Sequence, residues 1–289
     1  MPINGFLCID KPAGWTSQDV VSWVRKHFDI KKAGHTGTLD PMATGVLLLC
    51  LGAYTRLSSY ITGSDKQYRA VVRLGMTTDS LDADGVVTSR SEDIPTDYAQ
   101  VDAAVAEFRG AIAQVPPMYS AVRMGGHRLY ELARRGIEID RPARNVCIHK
   151  LDIAVYAPPL LHLNVHCSKG TYIRSLADDI GKRLGCGAHL STLRRTAVGC
   201  IELEQCVSVY ELERAECIAD VLLNPHAVFN LSSVCLTEAQ QGRFSNGNSV
   251  TGILLDVQDI VTVQNSRGIL LGLGHIVEGV LKPIRVIQN

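Results

Sequence analysis

The stretch AGHTGTLDPMATGVLLLCLG (residues 33–52) opens as a small, polar, glycine-punctuated loop and closes as an apolar run. One acidic side chain, Asp40, stands in its middle, followed by a proline. The apolar end, Val46 to Leu51, is a buried strand or a short buried helix, since a continuous apolar run carries no period that separates the two. Asp before Pro is common at turns, where the carboxylate bonds to nearby backbone amides. A second reading gives Asp40 chemistry. Gly34, Gly37 and Gly45 let the backbone approach another group closely, His35 and Thr36 add polar contacts, and the apolar run supplies a wall. A carboxylate anchored beside such a wall is a nucleophile or a base when a cation keeps it ionised. Both readings stay open on the residues alone.

Upstream, GFLCID (5–10) reads as a strand and KPAG (11–14) as a turn. Thr16 and Asp19 form a capping box for a helix with Val20, Val24 and Phe28 on one side. Downstream, QYRAVVRLGM (67–76) is rich in β-branched and aromatic residues and predicts a strand. TTDSLDADGVV (77–87) has turn chemistry in Asp79, Asp82, Asp84 and Gly85; a calcium loop would need carboxylates where Ser80 and Ser91 stand. Residues 97–110 read as a helix through Val101, Val105 and Phe108. LHLNVHCSKGTYIRSLADDIGKRLG (161–185) is an alternating strand, a glycine turn and a helix carrying Ile173, Leu176, Ala177, Ile180 and Leu184 on one face, with Gly185 suited to its C-cap. After about residue 228 the texture turns to short strands and turns. The elements add up to an α+β main domain with a β-rich appendix.

Charged residues are balanced, 29 basic against 29 acidic, so any nucleic-acid binding has to come from a local patch. One such patch runs from Arg123 to Lys150, where Arg123, Arg128, Arg134, Arg135, Arg141, Arg144 and Lys150 outnumber Glu131, Glu138 and Asp140. Tyr68, Tyr119, Tyr130 and Tyr172 each have an Arg or Lys within a few positions. Rings that stack on bases beside guanidinium groups that hold phosphates suit looped or single-stranded RNA, although a strand tyrosine is more often a core residue. The longest apolar run is far too short for a bilayer, and the first residues lack the pattern of a secretory signal. The nine cysteines show no Cys-x-x-Cys pair, which predicts reduced thiols in cytoplasm and no zinc site. P-loop, nucleophile-elbow and zinc-protease motifs are absent, so none of those templates is supported.

Taken together, GFLCIDKPAGWTSQDVV, AGHTGTLDPMATGVLLLCLG, DKQYRAVVRLGMTTDSLDADG, QVPPMYSAVRMGGHRLYELARRGIEI and CSKGTYIRSLADDIGKRLG closely resemble successive blocks of the bacterial tRNA pseudouridine-55 synthases, the TruB family, over roughly the first two hundred residues. The resemblance implies a pseudouridine synthase fold: α+β, with a mixed, mainly antiparallel central sheet flanked by helices and loops. It implies a catalytic domain at 1–228 with a basic RNA-gripping insertion at about 120–150, and a small PUA-like domain at 229–289. By position, Asp40 matches the catalytic nucleophile, Arg174 its carboxylate partner, and Tyr68 the ring that stacks on the target uracil. His35 matches the residue that fills the space of the extruded base, Tyr172 a further substrate contact, and Leu193 the apolar lid of the pocket. Lys11 and Pro12 match an N-terminal element beside the site, and Arg123, Arg128, Arg134, Arg135, Arg141 and Arg144 the backbone grip. The implied substrate is the T-arm and TΨC loop of tRNA. The implied enzyme is a cofactor-free, cytoplasmic monomer with no obligate protein partner. Another RNA as substrate, or an RNA-folding chaperone using the same surface, are the alternatives.

Overall fold

A computed structural model describes residues 3–253 and 259–287; residues 254–258 and 288–289 of the expected C-terminal domain lie outside the described residues. The chain begins with β1 (Gly5–Lys11), α1 (Ser17–His27), β2 (Ala33–His35), β3 (Thr44–Leu51) and α2 (Ser58–Thr62). It continues through β4 (Lys66–Leu74), β5 (Met76–Thr78), β6 (Val87–Arg90), α3 (Tyr98–Ala106), β7 (Gly110–Gln114), β8 (Arg123–Met124), β9 (His127–Arg128) and α4 (Leu129–Ala133). There follow β10 (Arg144–Ala157), β11 (Leu160–Cys167), α5 (Ile173–Leu184), β12 (Ala188–Val198), β13 (Ile201–Glu202), β14 (Val207–Ser208), α6 (Val209–Glu213) and α7 (Pro225–Phe229). The last elements are β15 (Ser233–Leu236), α8 (Glu238–Ser245), β16 (Ile260–Asn265), β17 (Leu270–Val277) and β18 (Val280–Val286). The class is mixed α+β.

Contacts divide the chain into two compact units, one of Met1–Pro41, Gly45–Gly63 and Val198–Asn289, the other of Met42–Thr44 and Ser64–Ala197. In the first, β1 runs antiparallel to β3 from Gly5↔Leu51 to Lys11↔Gly45, β2 adds antiparallel to β3, and β14 adds parallel to β1. The apolar run is therefore a strand, and its continuity has a cause: both of its faces are covered. Leu47, Leu49 and Leu51 join Leu7 and Ile9 against Val20, Val21 and Val24 of α1. Val46, Leu48 and Cys50 join Phe6 and Cys8 in a second cluster with Leu270 and Leu273 of β17. Each fully buried leucine contributes about 1.5–3 kcal/mol, so this strand anchors the unit. The Thr16–Asp19 capping box forms as the sequence predicts. The C-terminal segment builds a sheet in the order β15-β16-β17-β18, parallel at its first pairing and antiparallel after it. Phe244 of α8 fills its core.

One expectation is corrected here. Cys8 and Cys206 form a disulfide rather than remaining thiols. Parallel pairing of Ile9 with Val207 brings these neighbours side by side across 198 residues, a proximity no local spacing reveals. The remaining seven cysteines are free.

In the second unit the strand order is β12-β4-β11-β10-β7, and the pairs β4–β11, β11–β10 and β10–β7 are antiparallel. β4 alternates as the sequence predicts, with Lys66, Ala70, Val72 and Leu74 buried and Gln67, Arg69 and Arg73 exposed. Helix α5 buries Ile173, Leu176, Ala177 and Ile180 and ends at Gly185, whose φ of 79° is the left-handed conformation glycine adopts without penalty. Helix α3 is shorter than the sequence suggests: it stops at Ala106, and Gly110 opens β7, which pairs with the start of β10. The glycine pair at 125–126 turns the β8–β9 hairpin with both φ positive, as a two-residue hairpin loop requires.

Candidate active site

In the first unit, Asp40 lies in the connection of the β2–β3 hairpin, half-buried. Residues on either side of it are held from the N-terminal turn. Buried Ser17 bonds the main chain of Leu39 twice: its Oγ accepts from the Leu39 N–H at 2.8 Å and donates to the Leu39 carbonyl at 3.1 Å. Lys11, fully buried, donates through Nζ to the carbonyls of Pro12 at 2.8 Å, Trp15 at 2.6 Å and Pro41 at 3.1 Å. The Gly14 amide donates to the same Pro41 carbonyl at 2.9 Å. A buried ammonium is tolerated only when polar atoms replace its water, and here those atoms include the carbonyls of the turn and of the residue after Asp40. The predicted Lys11–Pro12 element thus clamps the loop. His35 sits half-buried at the end of β2, and Thr36 ties the chain to the Leu48 carbonyl through its N–H and its hydroxyl.

In the second unit, Arg174 is the second residue of α5 and is 4% exposed. Its guanidinium donates to the Ser80 carbonyl at 3.0 Å and the Tyr119 carbonyl at 2.7 Å, and pairs with Asp82 at 3.4 Å. Asp82 is itself buried and accepts from the Ser80 hydroxyl and the Asp84 amide. The start of α5 is locked in register. Gln114 bonds both the N–H and the carbonyl of Tyr172, at 2.8 and 3.1 Å, and the Ser175 hydroxyl donates to the Val115 carbonyl. Tyr172 therefore serves as N-cap residue through its main chain. Tyr68 is half-buried on β4, opposite Val165 of β11, and Leu193 is buried on the neighbouring strand β12. Lys66, two residues before Tyr68 on the same face, is brought down to about 8, first by burial and then by the nearby Arg195 charge.

The sequence reading passed over Asp82. It grouped this residue with the turn chemistry of SLDADG, whereas the structure buries it against a cation 92 positions away. Leu81 carries a signal of this role. Its φ of 65° is a left-handed conformation that is costly for a leucine, and the strand-like bridge from Asp82 to Leu190 holds it there. Such strain concentrates where surrounding structure fixes a functional geometry. Tyr119, one of the tyrosines flanked by basic residues in the sequence, lies beside this cluster, its carbonyl accepting from Arg174. Its hydroxyl bonds Asp79, and desolvation, helped by that carboxylate, pushes its phenol above the usual value.

The basic segment forms the β8–β9 hairpin and α4. Arg123, Arg128, Arg134, Arg135 and Arg144 are exposed. Arg128 and Arg134 flank the Tyr130 ring at 5.8 and 5.5 Å from its centroid. Arg141 differs, being half-buried and paired with Glu138 at 3.3 Å. Among the described residues, no group of three or more His, Cys, Asp or Glu is placed to hold a metal ion, and no helix is long and apolar enough to cross a membrane.

Residues 25–173 match the model of the TruB family pseudouridylate synthase N-terminal domain, and this segment contains the Asp40 loop, Tyr68 and the whole basic segment. The chain belongs to the TruB family. Residues 174–226 match the family's tRNA pseudouridylate synthase B C-terminal domain, and residues 232–287 match the C-terminal model of pseudouridine synthase II TruB. Among its relatives is the tRNA pseudouridine synthase B of Yersinia enterocolitica, 42% identical over 99% of this chain and 91% of that protein. The protein of the same name from Dechloromonas aromatica is 46% identical over 86% of this chain and 84% of its own length. That from Escherichia coli K12 is 40% identical over 99% and 95%. Among solved structures, a Cbf5–Nop10–Gar1 complex contains a chain that superposes with a TM-score of 0.74 at 26% identity, covering 98% of this chain and 85% of that one. The mixed α+β architecture is thus the pseudouridine synthase fold.

Proposed function

We propose that this chain is a tRNA pseudouridine-55 synthase, an isomerase that converts uridine to pseudouridine in the TΨC loop without a cofactor. The reaction breaks the N1–C1′ bond, turns the uracil and joins C5 to C1′; the proton lost from C5 balances the one gained at N1. The observation that carries the reading is the construction of the Asp40 loop in a member of this family. Its carboxylate follows Leu39, clamped by Ser17, and precedes Pro41, clamped by Lys11. A nucleophile must meet the glycosidic bond in one geometry, whether it attacks C6 or C1′, and preorganised backbone supplies that geometry.

In this reading Asp40 is the nucleophile and Arg174 the cation that keeps it ionised. Tyr68 stacks on the extruded uracil, which offsets part of the cost of unstacking at about 1–3 kcal/mol per base. His35 fills the vacated stack, Tyr172 and Leu193 line the base, and the exposed arginines of the β8–β9 hairpin and α4 hold the T-arm backbone. Lys11 and Pro12 act on substrate through the loop they hold. The catalytic domain is residues 1–228 and the PUA-like domain 229–289. The enzyme works as a cytoplasmic monomer on the T-arm of tRNA.

The test is pseudouridine mapping on a tRNA transcript. Wild-type protein is expected to modify position 55. Asp40→Asn should bind the same tRNA and yield no product. Product at another position, or full product from the variant, overturns the assignment.

A further inference from the structure

The sheet of the second unit has two faces, and Tyr68 belongs to the one that packs against Val165 and Leu151. The other face is built by cross-strand rows, because residues opposite one another in a ladder project to the same side. One row is Lys150–His166–Gln67 and the next is Asp152–Asn164–Arg69. With Thr196 of β12, and with Tyr68 and Val165 between the rows, these residues line a shallow cleft of about 290 Å³. Arg73 extends the same side of β4 beyond it.

The charge on this face is uneven. Asp152 is engaged by Lys150 at 3.0 Å, and Asp65 by His149 at 3.2 Å and His166 at 3.8 Å. Arg69 and Arg73 are exposed, with no carboxylate paired to either among the described residues. At the strand rise of about 3.3 Å per residue they stand about 13 Å apart, close to the axial rise of four stacked nucleotides at about 3.4 Å each. Gln67, Asn164 and Thr196 add neutral hydrogen-bonding groups around them. The one ring in these rows, His166, packs against the ring of His149 and faces Asp65, so the face offers phosphate and sugar contacts rather than a stacking platform.

We propose that this outer face of β12-β4-β11-β10 is a second RNA-binding surface, which holds the backbone of an RNA segment other than the one carrying the target uridine, without regard to sequence. The inference goes beyond the catalytic reading and stands without it.

The experiment uses the full chain, an unlabelled T-arm stem-loop at saturating concentration, and a fluorescein-labelled oligoadenylate twelve-mer followed by anisotropy. The adenylate offers no uridine to modify. The wild-type protein should bind it in the presence of the stem-loop. Arg69→Gln with Arg73→Gln should reduce the slope of log affinity against log salt by about 1.4, at about 0.7 per single-strand phosphate contact, which is about 25-fold at 0.1 M salt relative to 1 M. An unchanged melting temperature shows that the double variant folds. Affinity and slope equal to wild type would overturn the proposal. So would displacement of the twelve-mer by the stem-loop, since the adenylate would then occupy the target site. Tighter binding of a polyglutamate peptide than of the adenylate would overturn it too, in favour of an acidic protein partner.

Discussion

Replacing Asp82 by Asn tests how the second unit holds Arg174. The substitution keeps size and shape and removes one charge. In the native protein both partners are buried, Asp82 at 5% and Arg174 at 4% exposure. The guanidinium keeps its bonds to the Ser80 and Tyr119 carbonyls but loses the charge of the Asp82 carboxylate in a buried site. Breaking a buried pair by removing one partner costs about 3–5 kcal/mol. The surviving carbonyl bonds place this case near about 3. Urea unfolding followed by circular dichroism measures it. A double-mutant cycle with Arg174→Met separates the pair from the packing: once the cation is gone, Asp82→Asn should cost under about 1 kcal/mol, the usual scale of one neutral hydrogen bond. In tRNA turnover, a guanidinium displaced by about an ångström lowers the rate on the order of 10²-fold while the filter-binding affinity for tRNA holds. Stability within 1 kcal/mol of wild type, with undiminished turnover, would refute the reasoning.

Ser17→Ala strips the Leu39 N–H of its buried partner and should cost about 1–3 kcal/mol; kcat falls while tRNA affinity stays, and an equal loss in both would show that Ser17 does not act through the loop. Lys66 carries a pH signature. Its folded value of about 8 lies below the ordinary 10.5, so the unfolded chain binds more protons between these values and stability rises with pH across that window, by at most about 3 kcal/mol. Stability curves at pH 8 and pH 10.5 should show the rise in wild type and its loss in Lys66→Met. Arg134→Ala with Arg135→Ala should weaken tRNA binding and flatten its salt dependence by roughly 1–2 slope units; an unchanged slope in titrations from low to high salt counts against α4 as part of the grip.

Local rules carried much of the architecture. The Thr16–Asp19 capping box, the alternation of β4 and the left-handed stop at Gly185 are interactions between residues a few positions apart, and a sequence displays those directly. The TruB blocks, read as a set, carried the family. Contacts between distant residues lay beyond that reach. The run from Val46 to Leu51 was undecided between strand and helix until pairing with β1 and burial on both faces made it a strand. The fourteen-residue β10, with its mixed pattern and two register shifts, emerges only from its partners β7 and β11. Cys8 meets Cys206 only because β1 and β14 lie parallel, and Asp82 becomes the counter-ion of Arg174 only because α5 and the loop after β5 converge. Sequence by itself determined the elements and the chemistry on offer, since propensity, capping and periodicity are short-range. Tertiary structure alone decided which charges are buried together and which arginines stay free, because burial and pairing belong to residues that folding brings side by side.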